Sequence, residues 1–252
     1  MILKQFELKG KKALLTGGAY GLGKAMAQAL LEAGAEVCVI DISQDLNASI
    51  KELSEIGRCV GIKADLSKRP ERRRAFQKFI KTFGTIDVLV NNAGITKRHK
   101  AEEFPIEDWD KILEINLTAV FDLCQMAGKI MLKKGYGKII NIASLLSFSG
   151  GITVPAYSAS KGGVAQLTKA LSNEWASKGI NVNAIAPGYM ATPLNTALLK
   201  DKVRSRQILE RIPAGRWGKP EDLKGAIVFL ASSASDYVHG AVLVVDGGFL
   251  GR

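Results

Sequence analysis

The chain has 252 residues, 47 % of them hydrophobic, with 26 glycines, 7 prolines and a formal net charge of +11 at pH 7. This length and apolar share suit one globular domain with a large core over residues 1–252, and exclude a disordered, collagen-like or disulfide-stapled chain. The basic excess alone assigns no partner, and without a supporting motif neither a nucleic acid nor a membrane is expected.

The opening "MILKQFELKGKKALLTGG" scatters charges and offers no apolar stretch before a cleavage site, so no signal peptide is expected. No apolar run approaches the roughly 20 residues of a membrane helix. Cys38, Cys59 and Cys124 are odd in number, far apart and set among apolar neighbours. They read as buried free thiols of a reducing cytoplasm. His99 and His239 lie far apart with no cysteine pair, so no metal site is expected.

From the N-terminus, "KKALLTGG", "AEVCVID", "CVGIKAD", "IDVLVNNAG", "GKIINIAS", "INVNAIAPG" and "AVLVVDGG" read as strands covered on both faces. Helical patterns fall between them near 22–33, 45–56, 70–83, 107–133, 156–178 and 220–231. The densest basic cluster, Lys68 to Lys81, reads as a solvated helix with Phe76, Phe79, Ile80 and Phe83 on its apolar side. Such alternation predicts an α/β fold, a doubly wound parallel sheet with helices on both faces. Ligands of such sheets bind beyond the carboxyl ends of the strands, where the strand order reverses.

The first strand runs into "TGGAYGLG", with Gly17, Gly21 and Gly23 in a G-x-x-x-G-x-G spacing. Glycines let a backbone turn and approach a pyrophosphate at a helix N-terminus, although a structural turn uses the same letters. The second strand ends on Asp41, whose carboxylate suits adenosine ribose hydroxyls and repels a 2′-phosphate. The positions where a phosphate-binding cation would stand hold Tyr20, Ile42 and Ser43, which favours NAD over NADP. Capping of the following loop is the structural alternative for Asp41. Asp65 and Leu66 end the third strand, where an adenine edge fits, and Asn91, Asn92, Ala93 and Gly94 end the fourth.

Ser144 ends the fifth strand, and Tyr157 opens a long helix with Lys161 one turn on. Residues i and i+4 share a helix face with Cβ atoms about 5–6 Å apart. An isolated tyrosine has a pKa of about 10, and lowering it three units needs about 4 kcal/mol. One positive charge at ~4 Å and an effective dielectric of about 20 supplies that much. Lys161 is therefore expected to depress Tyr157, making it the acid or base of an alcohol–ketone interconversion with Ser144 holding the substrate oxygen. Asn116, polar inside an apolar helix, fits equally a satisfied core amide and a proton relay.

Together "TGGAYGLG", "NNAG", Asn116, Ser144, "YSASK" and "APGYMAT" resemble the short-chain dehydrogenase/reductase family across the whole chain. The resemblance implies a Rossmann-like sheet of about seven strands, Ser144–Tyr157–Lys161 catalysis assisted by Asn116, and a homotetramer. It also implies that Tyr20, Leu22, Asn92, Ala93, Lys161, Pro187, Gly188, Met190 and Thr192 line the cofactor.

The longer segments "GKIINIASLLSFSGGITVPAYSASKGGV" and "NEWASKGINVNAIAPGYMAT" are similar to the sugar-acid branch of that family. This implies an NAD-dependent enzyme for a secondary hydroxyl of a six-carbon aldonate. Arg98, in "ITKRHKAEEF", fits either a grip on a carboxylate through two parallel hydrogen bonds or a solvated loop charge. Arg216, after an expected lid at 190–212, fits either a second carboxylate contact or a salt bridge anchoring the lid. The C-terminal "DGGFLGR" is expected against a neighbouring subunit. Two other readings stand beside this one: an acyl-carrier-protein ketoreductase, and an NAD-binding protein without turnover.

Overall fold

Seven runs rich in Val, Ile and Leu become seven parallel strands in the computed structural model, which describes residues 1–252. They are β1 (Lys12–Thr16), β2 (Glu36–Asp41), β3 (Cys59–Lys63), β4 (Val88–Asn91), β5 (Gly137–Ile142), β6 (Ile180–Pro187) and β7 (Val242–Val245). The sheet order is β3-β2-β1-β4-β5-β6-β7, and every neighbouring pair is parallel. Strands β4, β5 and β6 are buried along their whole length, which is why their sequences do not alternate with polar residues.

Nine α-helices connect and cover the sheet. These are α1 (Gly21–Glu32), α2 (Leu46–Ser54), α3 (Arg69–Phe83), α4 (Ile106–Leu113), α5 (Ala119–Lys134), α6 (Pro155–Trp175), α7 (Thr196–Lys200), α8 (Lys202–Leu209) and α9 (Lys224–Ala231). Successive strand residues point to opposite faces. Leu14 and Ile40 therefore pack with Phe79, Cys124 and Val164 on one side. Ala13 and Leu15 pack with Met26, Leu30 and Ile227 on the other. All three cysteines are free and buried, and burial pushes their thiols up to about 12, 11 and 12 for Cys38, Cys59 and Cys124.

The structure departs from the sequence expectations in four places. The helix expected over 107–133 is α4 and α5 joined by a π-helical turn, Glu114–Thr118, a geometry that recurs at functional sites. The resulting helical run Ile106–Lys134 is, by length and composition, apolar enough to cross a membrane, contrary to expectation; half of its apolar window is buried within the fold. The segment taken as a lid contains α7 and α8. In the C-terminal tail Phe249 is buried beside Leu145, Leu198, Ile208 and Ile212, while Gly247, Gly248, Gly251 and Arg252 stay exposed.

The basic cluster is also only partly solvated. Arg73, Arg74, Lys78 and Lys81 are exposed, but Arg72 is 1 % exposed. Its Nε donates to Asp122 at 3.0 Å, and its Nη1 donates to Glu114 at 2.5 Å and to the Leu66 carbonyl at 2.6 Å. Arg72 thus ties α3 to both α5 and the π turn. Removing one partner of a buried ion pair leaves the other charge uncompensated. Arg72→Ala is expected to lower stability by about 3–5 kcal/mol, read by urea denaturation. A loss below about 1 kcal/mol, the range of exposed pairs, would contradict this role.

Candidate active site

Strand order reverses between β1 and β4, so the loops leaving these two strands diverge over a crevice. Thr16 Oγ1 accepts from the Asn92 and Ala93 N–H groups at 3.1 Å, and Asn92 Nδ2 donates to the Gly17 carbonyl at 2.6 Å. These bonds hold the two strand ends against each other. Gly17 is required by its φ of +70° and by crowding, since a Cβ there would lie 2.8 Å from Ala93 Cα. At Gly23 a Cβ would collide with the Gly17 carbonyl. Both glycines thus keep the backbone tight at the start of α1, the arrangement that presents N–H groups to a phosphate.

A cavity of about 660 Å³ follows the carboxyl ends of the strands. Every site residue expected from the sequence lines it except Asn116: the loop residues of β1, Asp41, Asp65, Leu66, Asn92 to Gly94, Arg98, Ser144, Tyr157, Lys161, Pro187, Gly188, Met190 and Thr192. A cradle built of glycines too crowded to carry a Cβ, extending past an acidic strand end to a Ser–Tyr pair, fits a dinucleotide. Asp41 is 9 % exposed and caps as well as lines: it accepts from Ala19 N and Ser43 N, each at 2.9 Å. Each oxygen retains a second lone pair.

At the far end, Ser144 terminates β5 and its Oγ accepts from Leu146 N at 3.1 Å. Pro155 occupies the first turn of α6, where its fixed φ suits the helix start and its missing N–H costs nothing. Tyr157 follows in that turn and lines the cavity together with Ser144, whose hydroxyl pulls its phenol down. Thr153, just before α6, is the only non-glycine residue with positive φ, at 64°. Its carbonyl accepts from His99 N at 3.1 Å, pinning the Arg98 loop to the entrance of the Tyr157 helix. Strain of this kind clusters at functional sites.

The electrostatics correct the sequence expectation for Lys161. Its Nζ lies 5.7 Å from the Tyr157 ring centroid and donates to the Ile142 carbonyl at 2.6 Å. Burial raises the Tyr157 phenol above its ordinary value, while the Ser144 hydroxyl and the Arg98 cation pull it back. Lys161 is not what depresses Tyr157; its own ammonium is 4 % exposed and burial brings it down to about 8. The i, i+4 spacing brings the two side chains together, but the ammonium turns toward the strand carbonyl.

Asn116 sits fully buried in the π turn. Its Nδ2 donates to the Ile95 carbonyl at 2.9 Å and to Ser160 Oγ at 3.1 Å, and its Oδ1 accepts from Ile95 N at 2.9 Å. The side chain is therefore a clamp on the loop that carries Gly94 and Arg98. Within the basic run, His99 is held by Asp108 at 2.9 Å and Lys100 by Glu103 at 4.0 Å. Arg98 lines the cavity and has no acidic partner. Arg216 lies outside that cavity in a bidentate pair with Asp222, at 2.7 and 2.9 Å, so the salt-bridge alternative is the one realised.

A family profile described as enoyl-(acyl carrier protein) reductase matches residues 17–250. The chain is 52 % identical to 2-dehydro-3-deoxy-D-gluconate 5-dehydrogenase of Bacillus subtilis (strain 168), over 98 % of this chain and 97 % of that one. A short-chain type dehydrogenase/reductase from Mycobacterium marinum superposes with a TM-score of 0.93 at 35 % identity, covering 99 % of both chains. The chain belongs to the short-chain dehydrogenase/reductase family. Another structure of similar shape is gluconate 5-dehydrogenase from Burkholderia cenocepacia J2315 in complex with NADP and tartrate. Its TM-score is 0.95, at 39 % identity over the whole of both chains.

Membership in this family places the Ser144–Tyr157 pair and the glycine cradle in a nicotinamide-dependent oxidoreductase. Among the cavity residues that escaped the sequence reading, two carry distinctive chemistry. Tyr189 follows the "APG" turn and stacks edge-on against Trp217 and Phe249, with ring centroids 5.6 and 5.3 Å away. Arg204, on α8, lines the cavity from the lid. Its neighbours Lys202 and Arg206 make it look like one more charge of a solvated helix.

Proposed function

We propose that this chain is an NAD-dependent dehydrogenase that interconverts a secondary alcohol and a ketone on a sugar acid, with 2-keto-3-deoxy-D-gluconate, 2-deoxy-D-gluconate and gluconate as the candidate substrates. The observation that carries this reading is the Ser144–Tyr157 pair lining one cavity with Arg98, a cation without an acidic partner. The printed names of the 52 % identical relative and of the gluconate 5-dehydrogenase neighbour support the substrate class.

In this reading the glycine loop, Asp41, Asn92 and the Pro187–Thr192 segment hold the dinucleotide, which when bound supplies the acceptor for hydride. Ser144 Oγ and the Tyr157 hydroxyl hold the substrate oxygen. For oxidation, Tyr157 must be deprotonated to take the hydroxyl proton; for reduction it returns that proton. Burial disfavours the phenolate, and the Ser144 hydroxyl with the positive charge of Arg98 offsets part of that cost, while Lys161 holds the nicotinamide ribose. Asn116 positions the loop that carries Gly94 and Arg98. Arg98 donates two parallel hydrogen bonds to the substrate carboxylate.

The choice of NAD rests on Asp41, with Tyr20, Ile42 and Ser43 beside it, whereas the gluconate 5-dehydrogenase neighbour carries NADP. A carboxylate facing a 2′-phosphate at effective dielectric about 20 costs several kcal/mol, less where water screens it. Asp41→Ala is expected to narrow the NAD/NADP ratio of kcat/KM by about tenfold to a hundredfold. An unchanged ratio would remove Asp41 from cofactor selection.

The reading also holds that the enzyme works in the cytoplasm as a homotetramer. Ile106 and Phe121 are exposed along the one helical run Ile106–Lys134, a face that assembly would cover; light scattering of the purified chain tests it. The acyl-carrier-protein ketoreductase shares only the carrier protein with the description of the matching profile, which names an enoyl reduction. Initial rates at 340 nm test the proposal, with NAD and NADP over the three sugar acids and a neutral polyol, and with NADH and NADPH over an acetoacetyl thioester. NAD-dependent turnover of sugar acids supports it; turnover of the thioester with NADPH alone replaces it.

A further inference from the structure

Cations that line a ligand cavity are ordinarily neutralised by nearby acids unless the ligand itself is the anion. Arg98 and Arg204 break that pattern together. Both line the cavity that holds Ser144 and Tyr157, one from the loop after β4 and the other from α8. Neither makes a salt bridge. The side chain of Arg204 donates to the neutral Gln207 Oε1, at 3.2 Å, while Arg206 on the same helix pairs outward with Glu210 at 3.7 Å. Burial lowers the Arg98 guanidinium from its ordinary value, and the Arg204 charge adds to that shift despite the opposing pull of Tyr189. The two guanidiniums are close enough to repel.

We propose that Arg204 is a second carboxylate-binding residue: with Arg98 it brackets the substrate's carboxylate, so that the α7–α8 lid seats fully only over an acid. The inference rests on the sugar-acid reading above. An anion between two like charges turns one repulsion into two attractions, and each Arg–carboxylate contact is charge-assisted. The lid is built to carry such a residue. Leu198, Ile208 and Ile212 are buried against Leu145 and Phe249, which anchors its inner side. Asp201 accepts from Val203 N and Arg204 N, each at 3.0 Å, and so fixes the start of α8. Arg204 itself is half-buried and lacks an ion pair, so replacing it removes little packing.

The test compares Arg204→Ala, Arg204→Lys, Arg98→Ala and the double Ala variant on the best sugar acid and on the polyol in which its carboxylate is CH2OH. Dinucleotide affinity is measured in parallel. Arg204→Ala is expected to lower kcat/KM for the acid by about 10- to 100-fold, chiefly through KM. Rates on the polyol and dinucleotide affinity should be unchanged, and Arg204→Lys should recover part of the loss. In the double variant the two losses should not multiply, because both side chains address one carboxylate. Equal losses on acid and polyol would make Arg204 a packing residue and overturn the proposal, as would an unaltered KM for the acid. The underlying reading fails separately: if the unmodified enzyme turns over polyol as well as acid, there is no carboxylate preference to assign.

Discussion

Tyr157→Phe lowers kcat for sugar-acid oxidation by about 10²- to 10⁴-fold, the usual contribution of one positioned acid–base group, while dinucleotide affinity stays nearly unchanged. The ring remains to fill its place in the first turn of α6; the lost atom is the hydroxyl oxygen that carries the titrating proton. The pH dependence carries the sign. Burial raises the phenol, so the phenolate is the scarce form at neutral pH, and oxidation should speed up as pH rises. Reduction needs the phenol and should slow over the same range. In the Phe variant the residual oxidation rate should lose this slope. Rates at 340 nm with a fluorescence titration of dinucleotide measure both halves, and a variant that keeps its turnover and slope would place the proton transfer elsewhere.

Lys161→Met is expected to abolish most turnover and yet stabilise the cofactor-free protein. The ammonium is depressed from 10.5 to about 8 by burial, so the folded state disfavours its charge. Between about pH 8 and 10.5 the unfolded chain binds more protons than the folded one, and stability contributed by this group rises with pH. Below pH 8 the penalty is present in full, about 3 kcal/mol for a shift of this size. Methionine removes it but strands the Ile142 carbonyl, which loses a 2.6 Å hydrogen bond and returns about 1–2 kcal/mol. The net gain is about 1–2 kcal/mol at pH 7 and turns into a net loss of about 1 kcal/mol near pH 10.5, where only the lost hydrogen bond remains. Urea denaturation at both pH values checks this; destabilisation at pH 7 would mean that the ammonium is stabilised in the fold rather than strained by it.

What the sequence disclosed follows from where information sits in a doubly wound sheet. The strand ends are legible because each apolar run stops abruptly on residues of special chemistry: Gly17, Asp41, Asp65, Asn92, Ser144 and Pro187 all line one cavity. The catalytic spacing is legible because the i, i+4 relation survives folding. The direction in which a long side chain finally points is not. Lys161 turns to a strand carbonyl, Arg72 turns inward to Asp122, and Arg204 turns to the cavity, although Arg72 and Arg204 each stand in an ordinary basic stretch. The lid helices were missed because α7 is only five residues long and α8 packs few apolar side chains. Phe249 finds its place under that lid through contacts distant in sequence, which no local pattern announces.

The most direct test of the account sets two initial rates side by side: NADH formation from the preferred sugar acid, and from the polyol that differs from it only at the carboxylate. The account predicts that the acid exceeds the polyol in kcat/KM by about 100-fold, the effect of losing a charge-assisted bidentate contact. Equal rates would show that the cleft oxidises polyols without reading a carboxylate, and would contradict the assignment of its substrate.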